Sequence, residues 1–269
     1  MLVVRSILFN VLFYFLNAVQ MIFWAPFFFF LPRPARWWVA KSWARSLSWL
    51  MRIVVGTKMD VRGLENIPET GAIIAPKHQS SWDTFVFVPY IHDPVYILKR
   101  ELMWVPFFGW YMARMTMIPI DRGAREKAVA KVNEGARVEM AKGRQLIIYP
   151  EGTRRPPGSE PKYKSGIAYL YETTGVPVVP VAHNAGIFWP KGSIMRYPGT
   201  FEMEFLEPIQ PGLDRKAFMA ELERRLEEAS DRLLLNAARA DNAPPLAPSA
   251  KKRVAELEAA GFDAQATMA

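Results

Sequence analysis

From Ser6 to Leu31 the chain carries no charged side chain, reading SILFNVLFYFLNAVQMIFWAPFFFFL. A helix over Ser6–Ala25 alone extends about 30 Å at roughly 1.5 Å per residue, the thickness of a bilayer's hydrocarbon core. The apolar run is too long for the core of a signal peptide, and Pro-Arg-Pro-Ala-Arg follows it in place of a small-residue cleavage site. A retained membrane segment is therefore expected, whether it crosses or dips in and returns, with Pro26 and Pro32 breaking the helix near its far end.

The next stretch, ARWWVAKSWARSLSWLMRIVV, repeats Lys41, Arg45 and Arg52 at helical spacing with Leu, Trp and Met between them. Trp37, Trp38, Trp43 and Trp49 suit the headgroup boundary, where an indole reaches both solvents. Between residues 32 and 62 seven Lys/Arg stand against the single Asp60, an excess that attracts anionic lipid and holds this flank on the cytoplasmic side. The expected location is the membrane, with the domain that follows on the cytoplasmic face of the inner (plasma) membrane. The competing reading of this stretch is an ordinary core helix with a charged outer face. A net charge of +8 and a pI near 9.7 ask for an anionic partner. Cysteine is absent, which removes thiolate nucleophiles and cysteine metal sites, and only three histidines (78, 92 and 183) argue against a metal centre. We therefore expect no metal; no bound cofactor is expected either.

Beyond Asp60, short apolar runs alternate with longer amphipathic ones. AIIAP, PVYIL, MTMIPI, QLIIYP and VPVVPV read as buried strands by length and β-branched content. Ala124–Lys142, closed by Gly143, and Tyr163–Thr174, closed by Gly175, read as helices. Strand, helix and strand in that order argue parallel crossovers. The expected fold class is α/β, a mixed, mostly parallel sheet flanked by helices and preceded by the N-terminal membrane-associated helical segment. TFEMEFLEPI alternates openly and is expected as an antiparallel edge strand, and Asp214–Asn236 as an amphipathic helix. The expected units are membrane-embedded and interfacial helices over 1–58, the α/β domain with its C-terminal helix over 59–240, and a linker with a flexible tail over 241–269.

The chemistry concentrates at strand ends. GAIIAPKHQSSWDTF, residues 71–85, leaves an apolar run through Pro76 and delivers His78 and, five residues on, Asp83. The two meet if the histidine lies in the strand-to-helix loop and the aspartate in the first turn of a helix through WDTFVFVPY, capped by Ser80 or Ser81. The carboxylate then accepts from one imidazole nitrogen, fixes the tautomer and leaves the other nitrogen as a general base, for which a pKa of about 6.5 is suited. IIYPEGTRR, residues 147–155, ends a strand in Glu151, Gly152, Thr153 and Arg154. Glycine admits a backbone N–H close to an anion, threonine adds a hydroxyl, and arginine grips phosphate bidentately. IPIDR ends another strand in Arg122, and PKYKSG brings Lys162 and Lys164, so three strand ends offer cations near one histidine.

In order, spacing and strand context these blocks resemble the lysophosphatidic acid acyltransferase (1-acyl-sn-glycerol-3-phosphate acyltransferase) family. HQSSWD at 78–83, IPIDR at 118–122, YPEGTR at 149–154 and VPVVPV at 176–181 carry the resemblance, which covers roughly residues 60–210. Lys77 departs from it, since family members often carry Asn before the histidine. The resemblance implies that His78 deprotonates a glycerol hydroxyl and that Asp83 orients it. It further implies that Glu151, Gly152, Thr153 and Arg154, helped by Arg122 and Lys164, bind the glycerol phosphate end of the acceptor, while the Val176–Val181 strand supports the donor site. The implied reaction moves an acyl group from acyl-carrier-protein or coenzyme A thioester to lysophosphatidate without an acyl-enzyme. The chain agrees in having no cysteine and no G-x-S-x-G elbow. Another lyso-lipid, such as a lyso-ornithine lipid or lysophosphatidylglycerol, is the alternative acceptor. The rivals outside the family are a hydrolase using Ser80 or Ser81, a non-catalytic binder of anionic lipid, and a nucleic-acid binder, which fits the pI alone.

Overall fold

A computed structural model describes residues 1–121 and 125–262. The uncharged N-terminus forms α1 (Leu2–Phe28), the one helix among the described residues long and apolar enough to cross a membrane by length and composition. It runs through Pro26, whose missing N–H leaves the Ile22 carbonyl without its i+4 donor, and stops two residues later. A short turn reverses the chain into α2 (Arg33–Leu50), which continues as a π-helical turn over Met51–Val55.

The hairpin is bound to the body along its length. Arg5 Nε donates to the Val54 carbonyl (2.6 Å), Ser6 and Asn10 bond with Arg196, and the Phe13 ring packs edge-on against Trp189. Further along, Tyr111 donates to the Met21 carbonyl (2.5 Å) and Arg114 to that of Phe29. Asp93 fastens α2: it accepts both arms of Arg33 (2.8 and 2.9 Å), the Trp37 indole (2.7 Å) and Arg144 (3.2 Å). Burial pushes the Asp93 carboxyl up, but the Arg33 hydrogen bonds and the charges of Arg144 and Arg33 outweigh it, and its pKa is lowered. Of the four tryptophans expected at a headgroup boundary, Trp38 and Trp49 are exposed. Trp37 and Trp43 instead turn inward, Trp43 donating to Asn17 (2.9 Å) and packing on Phe85.

The body is a seven-stranded sheet: β1 (Thr57–Arg62), β2 (Ala72–Pro76), β3 (Pro94–Lys99), β4 (Ile118–Ile120), β5 (Gln145–Ile147), β6 (Val178–His183) and β7 (Gly199–Phe205). Its order is β1-β7-β6-β2-β5-β3-β4, and every pairing is parallel except β6–β7. The mixed, mostly parallel sheet expected from the pattern is the one observed. TFEMEFLEPI is antiparallel to β6 as expected, but it is not the edge, because β1 pairs in parallel outside it. The strand TKMDVR hides in the sequence because none of its six residues but Thr57 is buried.

Helices α3 (Phe108–Arg114), α4 (Arg125–Met140), α5 (Gly166–Thr174), α6 (Ala185–Phe188), α7 (Arg215–Arg239) and α8 (Pro248–Ala259) complete the chain. Asp214 caps α7 by accepting from the Ala217 amide at 2.9 Å. Two expectations fail. No α-helix runs through WDTFVFVPY: a single 3₁₀ turn, Trp82–Thr84, gives way to irregular turns. Pro89 has no amide to bond back to Phe85, and it pushes Val88 out of helical geometry. The stretch expected as a flexible tail contains α8, with Ala250 and Leu257 buried and Arg253 paired with Asp231 of α7 (2.5 Å).

Candidate active site

Parallel pairing of β2 with β5 and with β6 brings the carboxyl ends of all three to one edge of the sheet. Lys77 and His78 leave β2, Tyr149 to Arg155 follow β5, and His183 closes β6. A cavity of about 710 Å³ opens there. His78, Ser81, Thr153, Arg154 and Lys164 stand along its polar part, while its walls come from Met21, Trp24 and Phe28 of α1, Ala40 and Trp43 of α2, and Phe85, Met115 and Ile167 of the body. An apolar chamber with a few convergent polar groups is the usual form of a site for an amphiphile.

His78 and Asp83 meet without the expected helix. Nδ1 of His78 lies 2.9 Å from Asp83 Oδ1, while Oδ2 accepts the amides of Gln79 and Ser80 at 2.7 Å each. The aspartate thus winds the loop around its own fully buried carboxylate, which does for the backbone what a helix cap would have done. A carboxylate only accepts, so the tautomer that this contact favours has its N–H at Nδ1 and leaves Nε2 free to accept. The imidazole stacks on the Tyr149 ring (centroids 4.1 Å apart, 26° between planes), and the Tyr149 hydroxyl donates to the Asp83 carbonyl at 2.8 Å. Burial, then the charge of Asp83, pushes the Tyr149 hydroxyl well above its ordinary pKa, so it stays a donor.

Glu151 stands elsewhere than expected. Its side chain is buried beneath the loop, not on the cavity wall: Oε2 accepts the His78 amide (2.8 Å) and Oε1 faces Lys77 Nζ (3.2 Å). Lys77 in turn reaches Glu227 of α7 at 2.7 Å, and the Tyr163 hydroxyl donates to the same oxygen. The residue that departs from the family pattern is therefore the cation between two carboxylates. The Arg155 amide donates to the His78 carbonyl (2.7 Å), so the 151–155 loop grips His78 from both sides. Gly152 lines the cavity. Its N–H donates to the Tyr149 carbonyl (3.0 Å) and is not offered to a ligand; what the position needs is φ = +66°, which favours glycine. Thr153, Arg154 and Lys164 do line the cavity, and Arg154 Nη1 donates to Ser81 Oγ. Lys191, which no motif marks, donates to the Arg154 carbonyl at 3.1 Å and brings a further cation to this corner. Arg122 lies outside the described residues, two positions beyond the end of β4.

His183 is fully buried under the site. Its Nε2 donates to the Lys77 carbonyl (2.8 Å), and its Nδ1 accepts from the Ala185 amide at 3.3 Å, which fixes a neutral tautomer. Desolvation, opposed by the charge of Asp83, holds its pKa below the ordinary 6.5. The unfolded chain takes up a proton near that ordinary value and the folded one does not. Stability from this group is thus complete above 6.5 and declines as the pH falls towards the lower folded value. We expect wild-type Tm to drop more between pH 6.5 and about 5 than that of His183→Gln, read by calorimetry. His92 is exposed just before β3, at the opposite edge of the sheet, where its amide donates to the Gln145 side chain. Ser80 is buried with its hydroxyl donating to the Trp189 carbonyl (2.8 Å), which leaves it no role as a nucleophile.

The profile of the Acyltransferase family matches residues 58–184. A 1-acyl-sn-glycerol-3-phosphate acyltransferase from Pseudomonas aeruginosa is 40% identical over 223 residues, which cover 81% of this chain and 87% of that one. The like-named protein of Saccharomyces cerevisiae is 30% identical over 172 residues, 62% of this chain and 56% of its own length. Among solved structures, that of the 1-acyl-sn-glycerophosphate (LPA) acyltransferase PlsC from Thermotoga maritima superposes with a TM-score of 0.72. It is 24% identical, and the match covers 87% of this chain and 98% of that one, a likeness of fold.

Proposed function

Because the chain belongs to the 1-acyl-sn-glycerol-3-phosphate acyltransferase family, a membrane-associated group of enzymes, we propose that it acylates the sn-2 hydroxyl of 1-acyl-glycerol-3-phosphate from an acyl thioester, yielding phosphatidate. The observation that carries this is the His78–Asp83 pair, 2.9 Å apart, on the rim of a lipid-sized cavity that Arg154 and Lys164 also line.

Nε2 of His78 takes the proton from the acceptor hydroxyl as its oxygen attacks the thioester carbon. The tetrahedral intermediate collapses, the carbon–sulfur bond breaks, and the leaving thiolate recovers that proton from His78. Asp83 holds the tautomer and faces the imidazolium formed between the two steps. Thr153, Arg154 and Lys164 hold the phosphate, with Arg122 and Lys191 as further cations. Glu151 and Gly152 shape the loop that carries them. Holding both substrates in one cavity supplies proximity, so no acyl-enzyme and no cofactor beyond the donor enters the scheme. The hairpin's exposed apolar face sits in the bilayer and its basic flank meets anionic lipid on the cytoplasmic face. Acyl-carrier-protein and coenzyme A thioesters both suit a basic enzyme.

The test is purified enzyme assayed against a panel of lyso-lipids, each with both donor types. We expect lysophosphatidate to be acylated with at least one donor, and Arg154→Ala to raise its KM more than it lowers kcat. Inert lysophosphatidate beside rapid turnover of a lyso-ornithine lipid or lysophosphatidylglycerol would move the acceptor assignment. Binding to anionic vesicles without turnover of any acceptor would identify a lipid-binding protein instead.

A further inference from the structure

A second apolar surface lies beside α1 and is used by none of the chemistry above. The chain from Arg100 to Trp104 makes a 3₁₀ turn, and α3 folds back on it. The two are locked together: the Gly109 amide donates to the Val105 carbonyl at 2.8 Å, and a Cβ on Gly109 would lie 2.0 Å from the Met103 carbonyl oxygen. The inner side of this knob, through Phe108 and Met112, forms part of the cavity wall. Its outer side holds Trp104, Val105 and Trp110, with Trp104 69% and Trp110 51% exposed. A water-facing surface rarely gathers such residues so closely in sequence.

We propose that the knob from Arg100 to Arg114 is a second membrane-inserting element, entering the same bilayer as α1. The inference rests on the membrane association of the hairpin. Continuity is the first support. Tyr111 packs against Phe28 and Phe29 (ring centroids 4.4 and 6.4 Å), and Arg114 donates to the Phe29 carbonyl, which joins the knob to the lipid-exposed end of α1 where Phe27 and Phe30 project. Charge is the second. Arg100 stands 5.8 Å from the Trp104 ring centroid, a cation beside an indole as a headgroup boundary favours. Arg100 and Lys99 are also paired, with Asp121 and Glu101. An acidic protein would meet an uncharged outer face and cations already committed, whereas lipid asks for nothing more.

The absence of cysteine allows single-site labelling of the full chain. Trp104→Cys and Trp110→Cys, with Phe23→Cys on α1 and Lys252→Cys on α8, are coupled to a polarity-sensitive fluorophore. Each is added to phosphatidylethanolamine–phosphatidylglycerol vesicles with or without a nitroxide quencher in the acyl region. The expected result is a blue shift and quenching at 104 and 110, as at 23, with neither at 252. Trp104→Ser/Trp110→Ser should also weaken vesicle partitioning roughly tenfold while the circular dichroism is unchanged. Labels at 104 and 110 that stay open to aqueous iodide while that at 23 is quenched by lipid overturn the proposal. So does protection of those labels by acyl carrier protein without vesicles, if vesicles leave them aqueous. Aqueous behaviour at 23 as well overturns the membrane placement itself.

Discussion

His78→Ala is expected to lower kcat by about 10²–10⁴-fold, the usual worth of a positioned general base, while KM for lysophosphatidate changes by only a few-fold. The two effects should separate because the proposed phosphate contacts lie on the loop after β5, whereas the proposed proton carrier is the imidazole. Truncation at the rim should leave the fold intact. The Asp83 carboxylate keeps the amides of Gln79 and Ser80, and Glu151 keeps the His78 amide, since all three bonds are to the backbone. Near-unchanged Tm with lost turnover is the result to look for. Retained turnover would remove His78 as the base, and a KM effect alone would make it a binding residue.

Lys77→Met is expected to be the most damaging single change away from the reacting atoms. It leaves Glu151 and Glu227 facing one another with no cation between them, and Glu151 is 2% exposed. Removing one partner from a buried charge cluster costs about 3–5 kcal/mol, which for a chain of this size lowers Tm by on the order of 10 °C. The sign of the pH dependence follows. Protonating either carboxylate relieves the repulsion between them, so the variant should lose less stability than wild type as the pH falls, a contribution opposite in sign to the usual acid destabilisation. Adding Glu151→Gln should restore most of the lost Tm, because the amide oxygen still accepts from His78 and the remaining charge on Glu227 has partial access to water. Additive losses in the double variant would show that the three charges are not coupled.

The Lys77 cluster also shows where sequence reasoning stops. His78, Asp83, Thr153, Arg154 and Lys164 were legible because short-range motifs at strand ends mark them. The parallel sheet was legible because buried strands are near-continuous apolar runs. Lys77 and Glu227 are 150 positions apart, and nothing local on α7 marks one glutamate among several as the inward one. Glu151 sits in a recognisable block, but the block does not reveal that its side chain turns back to the preceding loop. The failed helix after Trp82 has a local cause, Pro89 and the branched residues before it, which the capping pattern masked. Arg36, Trp37 and Trp43 show the limit of composition: a basic, tryptophan-rich helix reads as a lipid surface, yet the buried Arg36 and Trp37 bond to the body and Trp43 bonds to Asn17 of α1. His183 had only its place at the end of β6 as a signal, and the chemistry there is holding a carbonyl, not moving a proton.

Because α1 is stitched to the body from Arg5 to Phe29, anchor and catalyst move as one rigid piece. Cutting the helix away to make a handier, detergent-free protein would also strip Met21, Trp24 and Phe28 from the chamber, exposing its greasy interior to water. A shortened form should therefore aggregate or idle, not simply float free.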